Sequence, residues 1–485
     1  MRQATECGAS KSSEAQRLKS LPSRPSPPEG TGSEPTWKVL LALLCLVLTA
    51  LLWFQGLAGS LELPSVSNDL ELRQHELSAL ADGTLPRPIA ELLLGEDPRG
   101  RLATTLETRI STAPTPAPVA ERLELALLRR GASPSEGDQP IRDLVPMVAA
   151  ERRPLLEALL GQQRMPVARQ QELLRSWQHH PLLAQLSCEQ LGGPEPSCPA
   201  ARRGPLLLLQ LLGIQVLPAL MLLLGVGLLI RELWLQVRGR RSSPPPLVGP
   251  PLSMVDITLL IAGGFVLVGE VLLPQLLHQP LQHLLQLLFA EPAKVQGLQV
   301  LILYAALSPA PLLFLYRQLP VEGRPTDGWL QWRWRPLFRC LREAVAMVLL
   351  VMPPVALSGW LIDTLWRNPG GSNPMLDLVL TGSDPFALAC FACTAIVLAP
   401  LFEETLFRGV LLPALGRRLG AGVAVVLSAA LFAAAHLSLT ELVPLFLLGC
   451  GLGWLRLRSG RLATSVLMHA LWNGLTFANL LLLAA

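Results

Sequence analysis

The chain has 485 residues, of which 51% are hydrophobic and only 16% are charged, and its mean hydropathy is +0.42. This composition excludes an ordinary soluble enzyme and indicates a membrane protein with several spans. The net charge of +4 is small, and no basic run with interleaved aromatic residues is present, which excludes nucleic acid as a partner. We therefore predict an all-α polytopic membrane protein with about nine transmembrane helices.

The beginning of the chain predicts a tail followed by one membrane anchor. Residues 1–36 are polar and rich in Ser, Pro and Gly, which is typical of a disordered tail. Residues 37–59 form an apolar run that is long enough to cross a bilayer. The small residues of Ala58–Ser60 would suit cleavage by a signal peptidase, but the run is long for a signal-peptide core. We therefore favour an uncleaved transmembrane anchor.

Residues 60–203 have a different character. Charges return, and helical patterns occur in pieces that prolines separate. This predicts a mostly helical extramembrane domain, inserted after the first span and long enough for a modest core. Cys188 and Cys198 can form a short disulfide loop if the domain faces an oxidising compartment. The sequence contains no catalytic constellation here, so it predicts no function for this domain.

The rest of the chain is mostly membrane helix, with one group of spans over residues 204–380 and a catalytic unit over residues 381–485. Arginines cluster in alternate loops, which places those loops on the cytoplasmic side by the positive-inside rule. The extramembrane domain then faces a periplasm or a lumen, so we expect a multi-pass protein of a bacterial inner (plasma) or thylakoid membrane. The predicted spans lie near 205–230, 252–276, 296–316, 338–362, 386–416, 421–437, 441–457 and 462–483.

The segment Ala399–Arg408 places two carboxylates and an arginine inside one of these spans. A charge at the bilayer centre costs about 2.5–3.5 kcal/mol on insertion scales, so each group needs a partner or a function. Glu404 and Arg408 are four residues apart with the acid first, which favours a structural ion pair. Glu403 projects in another direction and lacks such a partner, which suits a general base. Taken alone, the segment could equally be a buried ion pair without chemistry.

Two later segments carry polar side chains at helical spacing. Phe432 and His436 are four residues apart, and so are His469 and Asn473. Each segment alone is more typical of a structural polar contact. Together with Glu403 they form a site in which a water can be activated and an oxyanion can be held. Spacing alone does not assign separate roles to the two histidines.

The order Glu-Glu-x-x-x-Arg, Phe-x-x-x-His and His-x-x-x-Asn on successive membrane segments resembles the CPBP family of intramembrane proteases. That family includes the CAAX prenyl endopeptidases and bacterial relatives linked to bacteriocin processing and immunity, the Abi group. The motifs cover about residues 385–480 and do not include the domain at 60–203. The long extension is similar to that of cyanobacterial members.

The resemblance implies a metal-independent glutamic protease that cleaves membrane-associated proteins or peptides in the lipid bilayer and needs no cofactor. It implies that Glu403 and His436 activate the attacking water. It implies that His469 and Asn473 bind the developing oxyanion. The supporting residues that it implies are Glu404, Arg408 and Phe432.

Three other functions stay open at this point. A zinc protease would use Glu403, His436 and His469 as ligands, although the chain has no His-Glu-x-x-His motif. A non-catalytic membrane scaffold, or a protein of the bacteriocin-immunity type, would keep the same polar network without turnover. A proton-coupled transporter would use Glu270 in a relay, but no repeat between two halves is visible.

Overall fold

The structure is a computed structural model. It describes residues 34–62, 66–112, 116–161, 166–177, 180–192, 198–240, 244–307, 309–366, 374–382 and 384–484. Within these ranges all regular elements are helices, and eight of them are long and apolar enough to cross a membrane. The predicted class, an all-α polytopic membrane protein, is therefore confirmed. Of the predicted disordered tail, residues 1–33 lie outside the described part of the chain.

The helices follow one another as a single anchor, a group of short helices and a long membrane bundle. The anchor, α1, is Thr36–Ser60. The short helices are α2 Val66–Ala81, α3 Arg87–Leu94, α4 Pro98–Thr112, α5 Val119–Ala132, α6 Pro134–Leu144, α7 Arg153–Leu160, α8 Val167–Arg175 and α9 Pro181–Gln190. The bundle contains α10 Gly204–Val237, α11 Met254–Leu288, α12 Pro292–Gln318, α13 Leu337–Leu365, α14 Pro374–Thr381, α15 Pro385–Leu419, α16 Ala421–Ala434, α17 Leu442–Ser459 and α18 Leu462–Ala484.

The short helices pack around a hydrophobic core of their own. Leu102, Leu123 and Trp177 belong to it and are almost completely buried. A disulfide joins Cys188 in α9 to Cys198, just before the chain enters the membrane bundle. This is the pairing that the sequence left open, and disulfides persist on the oxidising side of a membrane. The boundaries 60–203 that we predicted for this domain stay a prediction.

Arginine-bearing loops meet at one end of the membrane bundle. Arg456 donates a hydrogen bond to Gln331 at 2.6 Å, and Arg458 lies 3.0 Å from the carboxylate of Glu232. α10 begins next to the extramembrane domain and ends near Glu232, so the domain lies at the opposite end of the bundle. Which end faces the cytoplasm stays a prediction.

The predicted span at 421–437 corresponds to α16, an apolar helix that is shorter than the eight candidate membrane spans. Its 14 residues extend about 21 Å, which is less than the thickness of a bilayer core. α16 packs closely on α17. A Cβ atom added at Gly449 would lie only 3.0 Å from the backbone of Ala429, so the glycine is what permits this distance. The glycines of α17 thus permit the close helix packing that is typical of membrane proteins. The residues that follow α16 contact the end of α1, where the N–H of Leu439 donates a hydrogen bond to Ser60 at 3.1 Å.

Candidate active site

α15 carries both glutamates into the centre of the bundle. Asp384 caps its first turn by accepting a hydrogen bond from a backbone N–H at 2.8 Å. Two stretches of α15, Cys393–Leu398 and Thr405–Leu411, are π-helical and flank Glu403 and Glu404. Such widened turns change the direction of neighbouring side chains and occur frequently at functional sites.

Glu404 is completely buried and has two partners. Arg408 donates from Nη1 to its Oε1 at 2.8 Å, and Nδ1 of His469 lies 3.0 Å from the same oxygen. The buried Arg408 also donates to the carbonyl of Gly449 at 3.1 Å, and its guanidinium lies 4.4 Å from the ring centroid of Phe432. The structure therefore contains the Glu404–Arg408 pair that spacing suggested. It adds a contact to His469 that spacing could not reveal.

Glu403 faces a different set of groups. Its side chain is 15% exposed, and its Oε1 accepts a hydrogen bond from the Tyr304 hydroxyl of α12 at 3.0 Å. Nε2 of His469 lies 4.0 Å from Oε2 of Glu403. That oxygen has no hydrogen-bond partner among the described residues. Glu403 thus keeps one carboxylate oxygen open, and this oxygen faces an imidazole.

His469 lies between the two glutamates and is only 3% exposed. Because its Nδ1 bonds to the carboxylate of Glu404, the orientation of the ring is fixed and Nε2 is directed towards Glu403. In its doubly protonated form the ring can donate a hydrogen bond from Nε2 to a negatively charged oxygen. The pair therefore resembles other arrangements in which a carboxylate orients a functional histidine.

His436 lies beyond the end of α16, although the sequence predicted that helix to continue through it. Its Nδ1 is 2.8 Å from the backbone oxygen of Phe432. A carbonyl can only accept, so Nδ1 carries a proton, and in the neutral ring Nε2 is then the acceptor nitrogen. The Phe432 ring lies 4.8 Å from the His436 ring and 5.6 Å from the His469 ring, between centroids. Within the described ranges, His436 makes no hydrogen bond to either glutamate.

Asn473 lies one turn after His469 and contacts α15. Its Nδ2 donates to the backbone oxygen of Ala395 at 2.8 Å, inside the first π-helical stretch. This contact joins α18 to α15 and leaves one amide N–H of Asn473 for another partner. Its predicted role in binding an oxyanion stays a prediction.

Two residues near Glu403 were not predicted to belong to the site. Tyr304 is one of only two tyrosines in the chain, and that rarity within an apolar span was the one available signal. A tyrosine in an apolar environment usually finds a partner for its hydroxyl, which is here Glu403. Glu270 lies in the middle of α11 and is close enough to Glu403 for their charges to interact. It is therefore an intramembrane acid beside the site.

Two family models match separate parts of the chain. Residues 385–475 match the type II CAAX prenyl endopeptidase Rce1-like family. This Rce1-like segment contains all of the site residues that the motifs predicted, and its match supports the resemblance to the CPBP family. Residues 67–209 match a domain of unknown function, DUF8675. No curated protein and no solved structure matches the chain.

The Rce1-like match and the apolar helices together support an integral, multi-pass membrane protein with CAAX-type protease activity in general. They do not distinguish a glutamic protease from a zinc protease. The described residues contain no group of three or more His, Cys, Asp or Glu side chains arranged to hold a metal ion.

Proposed function

We propose that the protein is an intramembrane endopeptidase that uses Glu403 and His436 to activate water, without a metal ion or other cofactor. The match of residues 385–475 to the Rce1-like family supports a CAAX-type protease. The observation that carries the finer proposal is the open Oε2 of Glu403, which lies 4.0 Å from Nε2 of His469. A carboxylate that has an open oxygen beside an oriented imidazole can exchange protons with a bound reactant.

The attacking water is held by two acceptors, Oε2 of Glu403 and Nε2 of His436. Glu403 removes one proton, and the water oxygen forms a bond to the carbonyl carbon of the scissile peptide. The carbonyl oxygen becomes an oxyanion, which protonated His469 and the remaining amide N–H of Asn473 stabilise by hydrogen bonds. The proton on Glu403 then passes to the leaving amine, the C–N bond breaks, and the carboxylate is restored.

The supporting residues make this arrangement tolerable in an apolar bundle. Arg408 compensates the charge of Glu404, so that Glu404 can orient His469 without leaving an unpaired buried charge. Phe432 packs between the two imidazoles and covers the guanidinium of Arg408. These residues position the reacting groups and do not exchange protons themselves.

The substrate class that we propose is a membrane-associated protein or peptide, which need not be prenylated. Proteolysis would take place at the lipid bilayer, in a bacterial inner or thylakoid membrane. The membrane type is proposed from the arginine clusters in alternate loops, and membership of the cyanobacterial type from the resemblance of the long extension.

Comparative N-terminal mapping of membranes with and without the protein identifies the cleaved peptide. The purified full-length protein and its Glu403→Gln and Glu404→Gln variants are then tested against that peptide. We expect Glu403→Gln to reduce turnover at least about 100-fold, the usual contribution of a general base, with unchanged thermal unfolding. Glu404→Gln should instead lower stability and reduce turnover only in part.

Three outcomes would contradict parts of this proposal. Equal partial losses in both variants would contradict the separate roles of the glutamates. Loss of activity on chelation, with recovery on adding zinc, would exclude the metal-free mechanism. If the wild-type protein cleaves no membrane protein, a scaffold or an immunity-type protein becomes the better interpretation.

A further inference from the structure

We propose that Tyr304 is a positioning residue, which holds the carboxylate of Glu403 so that its open oxygen faces His469. Tyr304 lies on α12, outside the Rce1-like segment at 385–475. The inference rests on the proposed function, because it assigns Glu403 as the base.

The first support is the contact itself. The Tyr304 hydroxyl donates to Oε1 of Glu403 at 3.0 Å. The tyrosine ring packs edge-on against Phe402, with centroids 6.4 Å apart, and Phe402 packs edge-on against Phe265 at 5.5 Å. Aromatic contacts from α11 and α15 therefore fix the position from which the hydroxyl donates.

The second support is what this contact does to the carboxylate. The terminal torsion of a glutamate is broad, so an unrestrained carboxylate turns either oxygen towards its neighbours. With Oε1 bound to Tyr304, Oε2 is the oxygen that remains without a partner, and it faces Nε2 of His469. The hydroxyl of Tyr304 therefore selects which oxygen of Glu403 faces the imidazole of His469.

The third support is the type of donor. Glu404 is bound by the cation Arg408, whereas Glu403 receives its hydrogen bond from a neutral phenol. A phenol orients a carboxylate without adding a positive charge that would form an ion pair with it. The ionisable groups near Glu403 include Glu404, Glu270, Arg408 and His469, and among the described residues none of these four is seen to donate to Oε1.

The experiment compares Tyr304→Phe with Tyr316→Phe in the full-length protein, using the cleaved membrane peptide from the mapping experiment. Tyr316 is the other tyrosine of the chain, lies on the same helix and is 74% exposed, which makes it a matched control. We expect Tyr304→Phe to lower kcat about ten- to hundred-fold, the effect of losing a hydrogen bond to a charged group. KM should change little, and Tyr316→Phe should behave as the wild-type protein does.

A spectroscopic measurement tests the contact even if a variant turns over poorly. In the Tyr316→Phe protein, biosynthetic incorporation of 3-fluorotyrosine labels Tyr304 alone, because no other tyrosine remains. Its ¹⁹F resonance should shift when Glu403→Gln is introduced. Asp363→Asn should leave the resonance unchanged and serves as the control, because Asp363 is an exposed residue near the end of α13.

The results separate this inference from the proposed function. If the wild-type protein cleaves peptide and Tyr304→Phe cleaves it with the same kcat, Tyr304 does not position Glu403. If kcat and thermal stability fall together and the ¹⁹F resonance ignores Glu403→Gln, Tyr304 has only a packing role and the inference is wrong. If the wild-type protein is inert, the proposed function fails, and an unresponsive ¹⁹F resonance would still overturn the contact.

Discussion

The extramembrane domain and the membrane core each contain a pair of buried glutamates. In the domain, Glu76 of α2 and Glu124 of α5 face each other, and burial raises the pKa of both carboxyls, with repulsion from Glu76 adding to the rise at Glu124. Arg73, which lies 3.2 Å from Glu76, opposes this rise without cancelling it. In the core, Glu403 and Glu404 are neighbours on α15 but have separate partners. The folded state of the domain is therefore favoured when this pair of carboxyls holds a proton. The core pair is divided into one neutralised and one open carboxylate.

This difference teaches that burial alone does not make a carboxylate reactive. Two carboxyls that face each other favour a shared proton, whereas two that have different partners acquire different roles. In the core, Arg408 and His469 bind Glu404, and Tyr304 binds only one oxygen of Glu403. Removing a partner of Glu404 should therefore mainly lower stability, whereas removing the partner of Glu403 should mainly lower turnover.

The largest expected effect comes from removing the cation of the core. Arg408→Met would leave Glu404 buried without its counter-charge, and breaking a buried pair in this way costs about 3–5 kcal/mol of unfolding free energy. Chemical unfolding in detergent micelles measures this loss. The double variant Glu404→Gln with Arg408→Met should recover much of it, because no unpaired charge remains.

The matched control for this prediction is Arg458→Met. Arg458 is half exposed, and its partner Glu232 also has Arg231 at 3.4 Å, so the loss of Arg458 leaves this carboxylate with a cation and should cost about 1 kcal/mol or less. Equal losses at Arg408 and Arg458 would mean that the fully buried pair contributes no more than a half-exposed one.

The glutamate pair of the domain predicts a stability that depends on pH. It originates in the protonation of two carboxyls, whereas the stability of the core pair originates in an ion pair. Because the pKa of both carboxyls is raised in the folded domain, their favourable contribution is complete below the ordinary carboxyl pKa and is lost as the pH rises through the folded values. Glu124→Gln should remove the share of this dependence that Glu124 contributes and stabilise the domain by about 1 kcal/mol at neutral pH, since the amide can donate to Glu76.

Pulse proteolysis of the full-length protein in urea, at acidic and at neutral pH, measures the stability of the domain in the wild-type protein and in the Glu124→Gln variant. Glu107→Gln is the control, because Glu107 is an exposed glutamate that pairs with Arg129. If the wild-type domain is more stable at neutral than at acidic pH, the two buried carboxyls do not determine its pH dependence.

The smallest expected effect concerns the contact between the end of α1 and the loop that follows α16. Ser60 ends α1, and its Oγ accepts a hydrogen bond at 3.1 Å from the N–H of Leu439, in the loop that follows His436. Ser60→Ala should loosen this loop and lower kcat at most about five-fold, the equivalent of one ordinary hydrogen bond. Hydrogen exchange of residues 437–441 should rise in parallel. Ser111→Ala, at an exposed site in the domain, should change neither quantity.

The sequence predicted those features that depend on local spacing. The apolar lengths gave the membrane helices, and the four-residue spacing gave the Glu404–Arg408 pair. Contacts between distant helices, such as Tyr304 with Glu403, have no local pattern and appear only in the folded chain. The site roles themselves stay predictions until turnover is measured.

His436 illustrates where local reasoning was wrong. The alanine-rich pattern of α16 predicts a helix through residue 437, but α16 ends at Ala434. The physical reason is the turn that follows, in which Leu437 adopts the left-handed conformation with φ of 52°. A leucine gives no signal for that conformation, so the sequence placed His436 on a helix face, whereas it lies in a turn.

The hydrogen bond between His469 and Glu404 joins two helices that are synthesised at different times, since α18 follows α15 along the chain. Until α18 has inserted, Glu404 has only Arg408, and the imidazole of His469 is missing from beside Glu403. The proposed catalytic group therefore cannot assemble in the nascent chain while α15, α16 and α17 enter the membrane. Under the proposed mechanism, a protease assembled in this order is inactive during its own insertion and acquires activity only when α18 closes the bundle.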